Sequence, residues 1–270
     1  MNEPLPRARE WARTMHGHGD DVVVAHRDSA ARVTPYPPRR REEREELERL
    51  SLNPAATFAS GAGQREREEE PCEFRTCFER DRDRIVHSAS FRRLAGKTQV
   101  VVYPTDHQRT RLTHAIEVAQ CAVAMARGIG ANPALTDAMA LGHDCGHGPG
   151  GHASEDAFDA FLPGGYDHGP WGADVVLKSL NLTSQTLDGI RNHSWSRPAP
   201  ATLEGEIVSW ADRIAYCAHD FEDAVAAGIV TTDELPSAVA DVAGTARRIQ
   251  LARFIGAVID TTMTTGVVGM

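Results

Sequence analysis

The chain has 270 residues, 41% of them hydrophobic, and a formal net charge of −9. This composition is typical of a globular protein with one domain and appendages, or with two small domains. The acidic balance argues against a general nucleic-acid coat, although it allows a local basic pocket for a small anion. No apolar run approaches the ~20 residues that cross a bilayer, the polar start does not resemble a signal peptide, and five scattered cysteines are typical of a reducing compartment. We therefore expect a cytoplasmic protein that makes no membrane contact.

The first 70 residues predict a disordered or loosely packed N-terminal arm. They contain Pro35, Pro37 and Pro38, and then a mixed-charge run over residues 39–50 that has almost no apolar face. Glutamates directly after the arginine triplet at 39–41 cancel its charge, so the triplet does not indicate a nucleic-acid contact. The folded core is therefore expected over residues 71–270.

Helical periodicity dominates this core. Apolar residues recur at helical spacing over 111–129, and Asn132-Pro133 is an N-cap followed by a proline that opens a helix running to about Gly142. Further helices are predicted over residues 81–94, 153–162, 171–180, 184–192 and 203–227. One short β-like segment, Thr98–Tyr103, ends at Pro104. The predicted fold class is therefore all-α.

Histidines and aspartates on these helices suggest a metal site. The pair His143-Asp144 ends an apolar helix and enters a glycine-rich bend, His114 lies in the preceding helix and Asp212 in the last long one. Together they offer mixed nitrogen and oxygen ligation, which suits a divalent ion with open positions for water and substrate. Such an ion would activate water near neutral pH.

Each of these signals also has an ordinary structural explanation. A lone histidine in a helix, such as His114, is more often a packing residue, and the His-Asp dipeptide recurs at His219-Asp220. The stretch 143–155 is harder to explain by packing, because polar groups at that density are costly to bury unless they are paired or bind something. Its polar residues are His143, Asp144, His147, His152 and Glu155.

Several strings of the sequence resemble the dGTPase-like deoxynucleoside triphosphate (dNTP) triphosphohydrolases of the HD-domain superfamily. They are Arg80–His87, Phe91–Leu94, Lys97–Val100, Arg109–Gln120, Ala140–Asp144, Gly151–Glu155 and Ala211–Asp220. The resemblance runs in unbroken order over residues 50–230. It implies an HD-domain helical core and the hydrolysis of a dNTP to deoxynucleoside and tripolyphosphate.

The resemblance also implies roles for single residues. The metal ligands would be His114, His143, Asp144 and Asp212, with Mn or Mg favoured and Fe, Co, Ni or Zn as alternatives. His152 would be the catalytic histidine near the 5′ oxygen, held by Glu155, because a leaving alkoxide has to be protonated. The substrate-binding residues would be Gln99, Val100, Arg111, His147, His168, Arg213, Tyr216 and Asp220.

The chain departs from the family pattern in three places. Gly150 stands where the family usually has an aromatic residue, and Asp167-His168-Gly169 stands where it usually has Glu-His-Asn. The chain also ends at Met270, before the family's usual C-terminal region. We therefore expect weak activity or none from this chain, and a homo-oligomer in the full-length form.

Two alternatives remain open. Another HD-domain nucleotide phosphohydrolase, either a nucleotidase or a phosphodiesterase, would have the same metal site, and a truncated, non-catalytic nucleotide-binding paralogue would explain the short C-terminus. The presence of all four candidate ligands and of His152 favours the enzyme. The expected partners are dNTPs, with nucleic acid only as a regulator.

Overall fold

Twelve α-helices account for most of the regular structure in residues 5–15, 26 and 30–270, which are the residues that the computed structural model describes. Strands do not occur among them, apart from two isolated bridges. The chain divides into two units, Met1–Pro38 and Arg39–Met270. The all-α class predicted from the periodicity is confirmed. No helix of the described residues is both long and apolar enough to span a membrane.

The first unit contains α1 (Pro6–Met15). The helices of the second unit are α2 (Arg41–Ser51), α3 (Cys77–His87), α4 (Ala89–Arg93), α5 (Arg111–Ile129), α6 (Pro133–Gly142), α7 (His152–Asp159), α8 (His168–Trp171), α9 (Ser184–Asn192), α10 (Leu203–Ala226), α11 (Ser237–Ala243) and α12 (Arg247–Thr265). A π-helical turn, Gly172–Val176, follows α8, and short 3-10 turns follow α4, the π turn and α10.

Helix α5 lies at the centre of the second unit. It packs against α6, α10 and α12, while α6 also packs against α3 and α9. Its buried face consists largely of small residues, among them Ala115, Ala119, Ala122 and Ala126, which let neighbouring helices approach closely. Helix α5 ends at Gly130, whose φ of 84° gives the left-handed C-cap that glycine favours. The functional side chains predicted on α5, α6 and α10 are therefore carried by helices that contact one another.

Two predicted helices are interrupted in the structure. The helix expected over 81–94 ends at His87, because Ser88 adopts an extended backbone and its hydroxyl accepts the Phe91 amide at 3.0 Å, which starts α4. A serine at this position caps a new helix in preference to continuing the old one. The helix expected over 171–180 is instead the π turn and a 3-10 turn.

The β-like segment 98–103 forms no strand, so that detail of the prediction is wrong. Only Thr98 pairs, in an isolated bridge with Thr110, and the following residues are bends. Tyr103 has a φ of 57° and is 92% exposed. A left-handed tyrosine before Pro104 ends any extended run, and the residues that the structure describes contain no neighbouring strand to pair with it.

The predicted arm ends earlier than residue 70. Residues 39–70 belong to the second unit and contain α2, and their polar groups bond to the core. The fully buried carboxylate of Glu204, at the start of α10, accepts the amide and hydroxyl of Thr57 at 3.0 and 2.8 Å and the Asn132 amide at 2.8 Å. Residues 1–4, 16–25 and 27–29 of the predicted arm lie outside the described residues.

A buried ion pair fixes α3 to the loop before it and to α9. The Arg65 guanidinium donates to Asp81 at 2.6 Å, and the two side chains are 5% and 0% exposed. The other Asp81 oxygen accepts the Thr183 amide and hydroxyl and the Thr186 hydroxyl at 2.7–2.8 Å. One carboxylate on α3 therefore satisfies four buried donors from two other segments.

We expect Asp81→Ala to lower the free energy of unfolding by about 3–5 kcal/mol. It leaves the buried Arg65 guanidinium with only the part-exposed Glu69 as an ion-pair partner among the described residues, and it removes the acceptor of three further buried donors. Asp83→Ala is the matched control. It lies on the same helix and gains the same helix propensity, but Asp83 pairs only with the half-exposed Arg75 and Arg82, so its loss should cost about 1 kcal/mol or less. Urea denaturation measures both, and equal losses would contradict the assignment.

Candidate metal centre and active site

Four side chains from α5, α10 and the end of α6 converge as predicted from the sequence: His114, His143, Asp144 and Asp212, hereafter the His/Asp cluster. Asp212 Oδ1 lies 2.9 Å from His114 Nε2 and 3.6 Å from His143 Nε2. Asp144 completes the group, with Oδ1 3.4 Å from His143 Nε2 and Oδ2 4.0 Å from His114 Nε2. Neighbouring ligands of an ion that binds each at ~2.0–2.2 Å are separated by similar distances.

The hydrogen bonding of His143 fits a metal ligand. Its Nδ1 lies 2.6 Å from the Ala140 carbonyl oxygen, to which it donates, so Nε2 carries the lone pair that faces the cluster. This Nε2 is buried and has no hydrogen-bond partner among the described residues. An unsatisfied buried polar atom costs about 1–3 kcal/mol, and a divalent ion would satisfy it. The residues present therefore fit an ion held by two imidazoles and two carboxylates.

The electrostatics favour a cation at the same place. Burial opposes the charge of both aspartates, but the Arg111 guanidinium holds the pKa of Asp144 well below its usual range, and the His114 hydrogen bond does so for Asp212. Burial also opposes a proton on His143, but Asp144 and Asp212 together outweigh it and raise the pKa of that imidazole to about 9. The negative charges of Asp144 and Asp212 thus favour a positive charge on His143, as they would favour a divalent ion.

The bend after Asp144 needs glycine where it packs most closely. A Cβ on Gly146 would clash with the carbonyl oxygen of His168 and the amide nitrogen of Gly172. On the other side of the bend, the buried Lys97 ammonium donates to the carbonyl oxygens of Cys145, at 3.5 Å, and His147. The bend is therefore clamped between α8 and the segment before α5, which fixes the side chains that it carries.

A second group of side chains gathers around one carboxylate oxygen and is hereafter the Glu155 cluster. Glu155 Oε1 lies 2.9 Å from His147 Nδ1, 3.3 Å from His152 Nδ1 and 2.8 Å from His168 Nδ1. Burial would raise the pKa of Glu155, but hydrogen bonds from the three imidazoles hold it well below its usual range. Glu155 in turn raises the pKa of His152, which favours the imidazolium form.

Only one histidine of the Glu155 cluster is open to solvent. The His152 side chain is 70% exposed and lines the cavity described below, whereas those of His147 and His168 are 0% and 5% exposed and stack 3.7 Å apart. His147 also contacts the His/Asp cluster, with Nε2 3.1 Å from Asp144 Oδ1. The two clusters are therefore connected through a buried imidazole, and His152 is the most exposed member of the Glu155 cluster.

His193, which follows α9, is a site residue that the sequence analysis missed. It is buried, its Nδ1 lies 2.8 Å from the Ile190 carbonyl oxygen, and its Nε2 lies 3.0 Å from His168 Nε2. Its ring is 5.0 Å from that of His143, and burial lowers its pKa to about 3. His193 is outside every string that carries the family resemblance and has no spacing relation to the other histidines, so no sequence signal identified it.

A cavity of about 320 Å³, hereafter the central cavity, opens beside both clusters. It is lined by Gln99, Arg111, His114, Asp144, His152, His168, His193, Ser194, Trp195, Ser209, Asp212, Arg213, Tyr216 and Asp220. Six of the eight predicted substrate-binding residues are in this lining, while Val100 and His147 are not. A larger cavity of about 440 Å³ near α2 contains no histidine, and most of its arginines pair with carboxylates.

Two predicted substrate residues meet on the wall of the central cavity. The Gln99 side-chain amide donates to both carboxylate oxygens of Asp220, at 3.3 and 3.2 Å. Burial raises the pKa of Asp220 to about 6. The second His-Asp dipeptide therefore has a different setting from the first: His219 turns away, with Nδ1 2.8 Å from the Ala215 carbonyl oxygen, and joins no metal cluster of the described residues.

Comparisons with known proteins agree with this geometry. The HD domain family matches residues 111–217, which include all four members of the His/Asp cluster. Residues 111–217 therefore form an HD domain. The chain is also a relative of the deoxyguanosinetriphosphate triphosphohydrolase-like proteins, which confirms the family recognised from the sequence motifs.

Three such relatives show the extent of the match. Those of Caldanaerobacter subterraneus, Clostridium perfringens and Desulfatibacillum aliphaticivorans are 47%, 46% and 42% identical over 211, 215 and 224 residues. The aligned regions cover 76–77% of this chain. The chain spans 62–64% of the length of these relatives.

We expect the protein to bind one divalent ion at the His/Asp cluster. Asp144→Ala should abolish Mn uptake, because it removes a ligand and leaves Arg111 with an uncompensated buried charge. Asp220→Asn, from the second His-Asp dipeptide, is the control and should keep the ion. Metal analysis after dialysis against Mn measures both, and undiminished metal in the Asp144 variant would rule out the site.

Proposed function

We propose that the protein is a divalent-metal-dependent phosphohydrolase that converts a dNTP to deoxynucleoside and tripolyphosphate. One observation carries the proposal: a single cavity is lined by three members of the His/Asp cluster (His114, Asp144 and Asp212), by the exposed His152 and by two arginines, Arg111 and Arg213. A cavity of about 320 Å³ is of the size that binds small molecules. The cavity therefore combines a site for a metal ion, a general acid and two arginines that can bind phosphate.

The substrate class rests on similarity and on the wall of the cavity. The relatives are named for the hydrolysis of deoxyguanosine triphosphate to release triphosphate, and we extend that class to this chain without assigning a base. Gln99, Tyr216 and Asp220 offer hydrogen-bonding groups suited to the sugar. The alternatives, another HD phosphohydrolase or a non-catalytic paralogue, have no observation that favours them.

A divalent ion at the His/Asp cluster would supply Lewis-acid activation of water and of the α-phosphate. The two histidines and two carboxylates are compatible with Mn or Mg, which we propose as the ion. Its ligands are carried by α5, α10 and the end of α6, which pack together in the core. The remaining chemistry belongs to the side chains around the ion.

His152 is the proposed general acid for the 5′ oxygen of the leaving nucleoside. Its Nδ1 faces Glu155 at 3.3 Å, which fixes the ring and stabilises the imidazolium, so Nε2 is left to give its proton to the leaving oxygen. Glu155 is itself held by His147 and His168. We therefore assign His147 and His168 to the support of the acid, in addition to the phosphate contact predicted for His168.

Arg111 is the proposed phosphate ligand nearest the ion. Its Nη1 donates to Asp144 at 2.9 Å and its Nε to the Thr98 carbonyl oxygen at 3.1 Å. These bonds fix the plane of the guanidinium and leave Nη2 without a hydrogen bond to a described residue. An arginine held in this way can bind a phosphate oxygen without losing its contact to the metal ligand.

We expect His152→Ala to reduce turnover by roughly 10²–10⁴-fold, the usual worth of a general acid. Metal content and melting temperature should change little, because the side chain is mostly exposed. Turnover, metal content and melting temperature are measured on one sample. A folded, metal-loaded variant with near-normal turnover would exclude the catalytic role.

Glu155→Gln should change the pH profile as well as the rate. Glu155 raises the pKa of His152, so activity that needs the imidazolium is present below this pKa and is lost as the pH rises through it. Without the carboxylate charge the pKa falls, and the alkaline limb of kcat should move to lower pH. A uniform loss of rate at every pH would indicate a purely structural role.

The first phosphorus-containing product should be tripolyphosphate, since the acid is placed to protonate the 5′ oxygen. Anion-exchange chromatography of an early time point with each dNTP and Mn distinguishes it from pyrophosphate and orthophosphate. The same reaction with the Asp144→Ala variant is the blank. A nucleoside diphosphate or monophosphate as first product would contradict the proposed chemistry.

A further inference from the structure

Arg213 is held differently from the other arginine of the central cavity. Arg111 is paired with Asp144, whereas the Arg213 guanidinium forms an ion pair with none of the carboxylates that the structure describes, and its Nε is buried without a hydrogen-bond partner. The chain as a whole carries a net charge of −9, and most arginines near the core are paired. An unpaired guanidinium in the lining of an active-site cavity is thus available to an anion.

Two aromatic rings hold this guanidinium in place. Its central carbon lies 3.7 Å from the centroid of the Trp195 ring and 5.8 Å from that of Tyr216. Trp195 is itself fixed, because its indole nitrogen donates to the Ser209 carbonyl oxygen at 3.1 Å and its ring meets that of Trp210 edge-on at 4.8 Å. The stack therefore has a defined orientation although Trp195 is 50% exposed.

The position of Arg213 on α10 explains why it needs such a support. Successive helical residues project about 100° apart, so Arg213 leaves the helix in a different direction from its neighbour Asp212, which enters the His/Asp cluster. Its long side chain has to bend toward the same cavity. Tyr216, three residues on, shares the face of Arg213, and Trp195 covers it from the loop after α9.

We propose that Trp195 is a positioning residue that holds Arg213 toward the central cavity for the phosphate chain of the substrate. A carboxylate partner would fix the guanidinium but compete with phosphate for its charge. An aromatic face fixes it by cation–π attraction and leaves the charge available. Trp195 thereby sets the affinity for the polyphosphate group without touching the reacting atoms. This inference rests on the proposed function.

The test compares Trp195→Ala and Trp195→Phe with the wild-type, Mn-loaded protein. Calorimetric titration with inorganic tripolyphosphate should show about 3–30-fold weaker binding for the alanine variant, the range expected from a lost cation–π contact. The phenylalanine variant, which keeps an aromatic face, should recover most of the affinity. KM for the dNTP should rise in parallel, while kcat and metal content stay the same. Phe161→Ala, which removes an aromatic ring that is 80% exposed and outside the cavity, is the control.

A double-mutant cycle with Arg213→Ala shows whether Trp195 acts through the arginine. If it does, adding Trp195→Ala to Arg213→Ala should have no further effect on tripolyphosphate binding. An equal loss in both backgrounds, or a fall in kcat and melting temperature without a change in affinity, would overturn the inference. If the wild-type protein hydrolyses dNTPs and Trp195→Ala leaves tripolyphosphate binding unchanged, this inference alone is overturned. A wild-type protein that neither binds tripolyphosphate nor hydrolyses dNTPs would overturn the proposed function with it.

Discussion

Two carboxylates, Asp144 and Asp212, lie beside the alanine-rich helix α5, and both are close to the His114 imidazole that this helix carries. Burying a charge is costly unless it is paired, so the surroundings have to supply positive charge and hydrogen-bond donors. His114, His143 and Arg111 do so. The packing of α5, α6 and α10 therefore also forms the site for a cation, because it brings together the groups that stabilise the two carboxylates.

The same constraint extends outward through the histidines. His147 connects Asp144 to Glu155, and His168 connects Glu155 to His193, which lies against His143. A closed path of mostly buried side chains thus joins the cation site to Glu155, which contacts His152. The members of this path contact one another at 2.8–3.1 Å, so the path fixes the position of the exposed imidazole relative to the His/Asp cluster. Rigidity of this kind is what a proton donor needs.

The two arginines of the central cavity are oriented by different kinds of contact. Arg111 is oriented by a carboxylate and a carbonyl oxygen, which partly neutralise it and tie it to the ion site. Arg213 is oriented by aromatic rings, which leave its charge unopposed. In a protein with a net charge of −9, unopposed positive charge inside one cavity attracts a polyanion to the place where its hydrolysis is proposed.

Helical periodicity and short motifs in the sequence determined the all-α class, the bounds of α5 and α9, and the four members of the His/Asp cluster, because these depend on local spacing and on strings carried within single elements. Tertiary structure decided the rest. It ended α3 at Ser88, left residues 98–103 without a partner strand, and joined residues 39–70 to the core through Glu204. It also brought His193 and Trp195 to the site from the loop after α9. Contacts between segments far apart in the chain leave no periodic signal, so only the folded arrangement could reveal them.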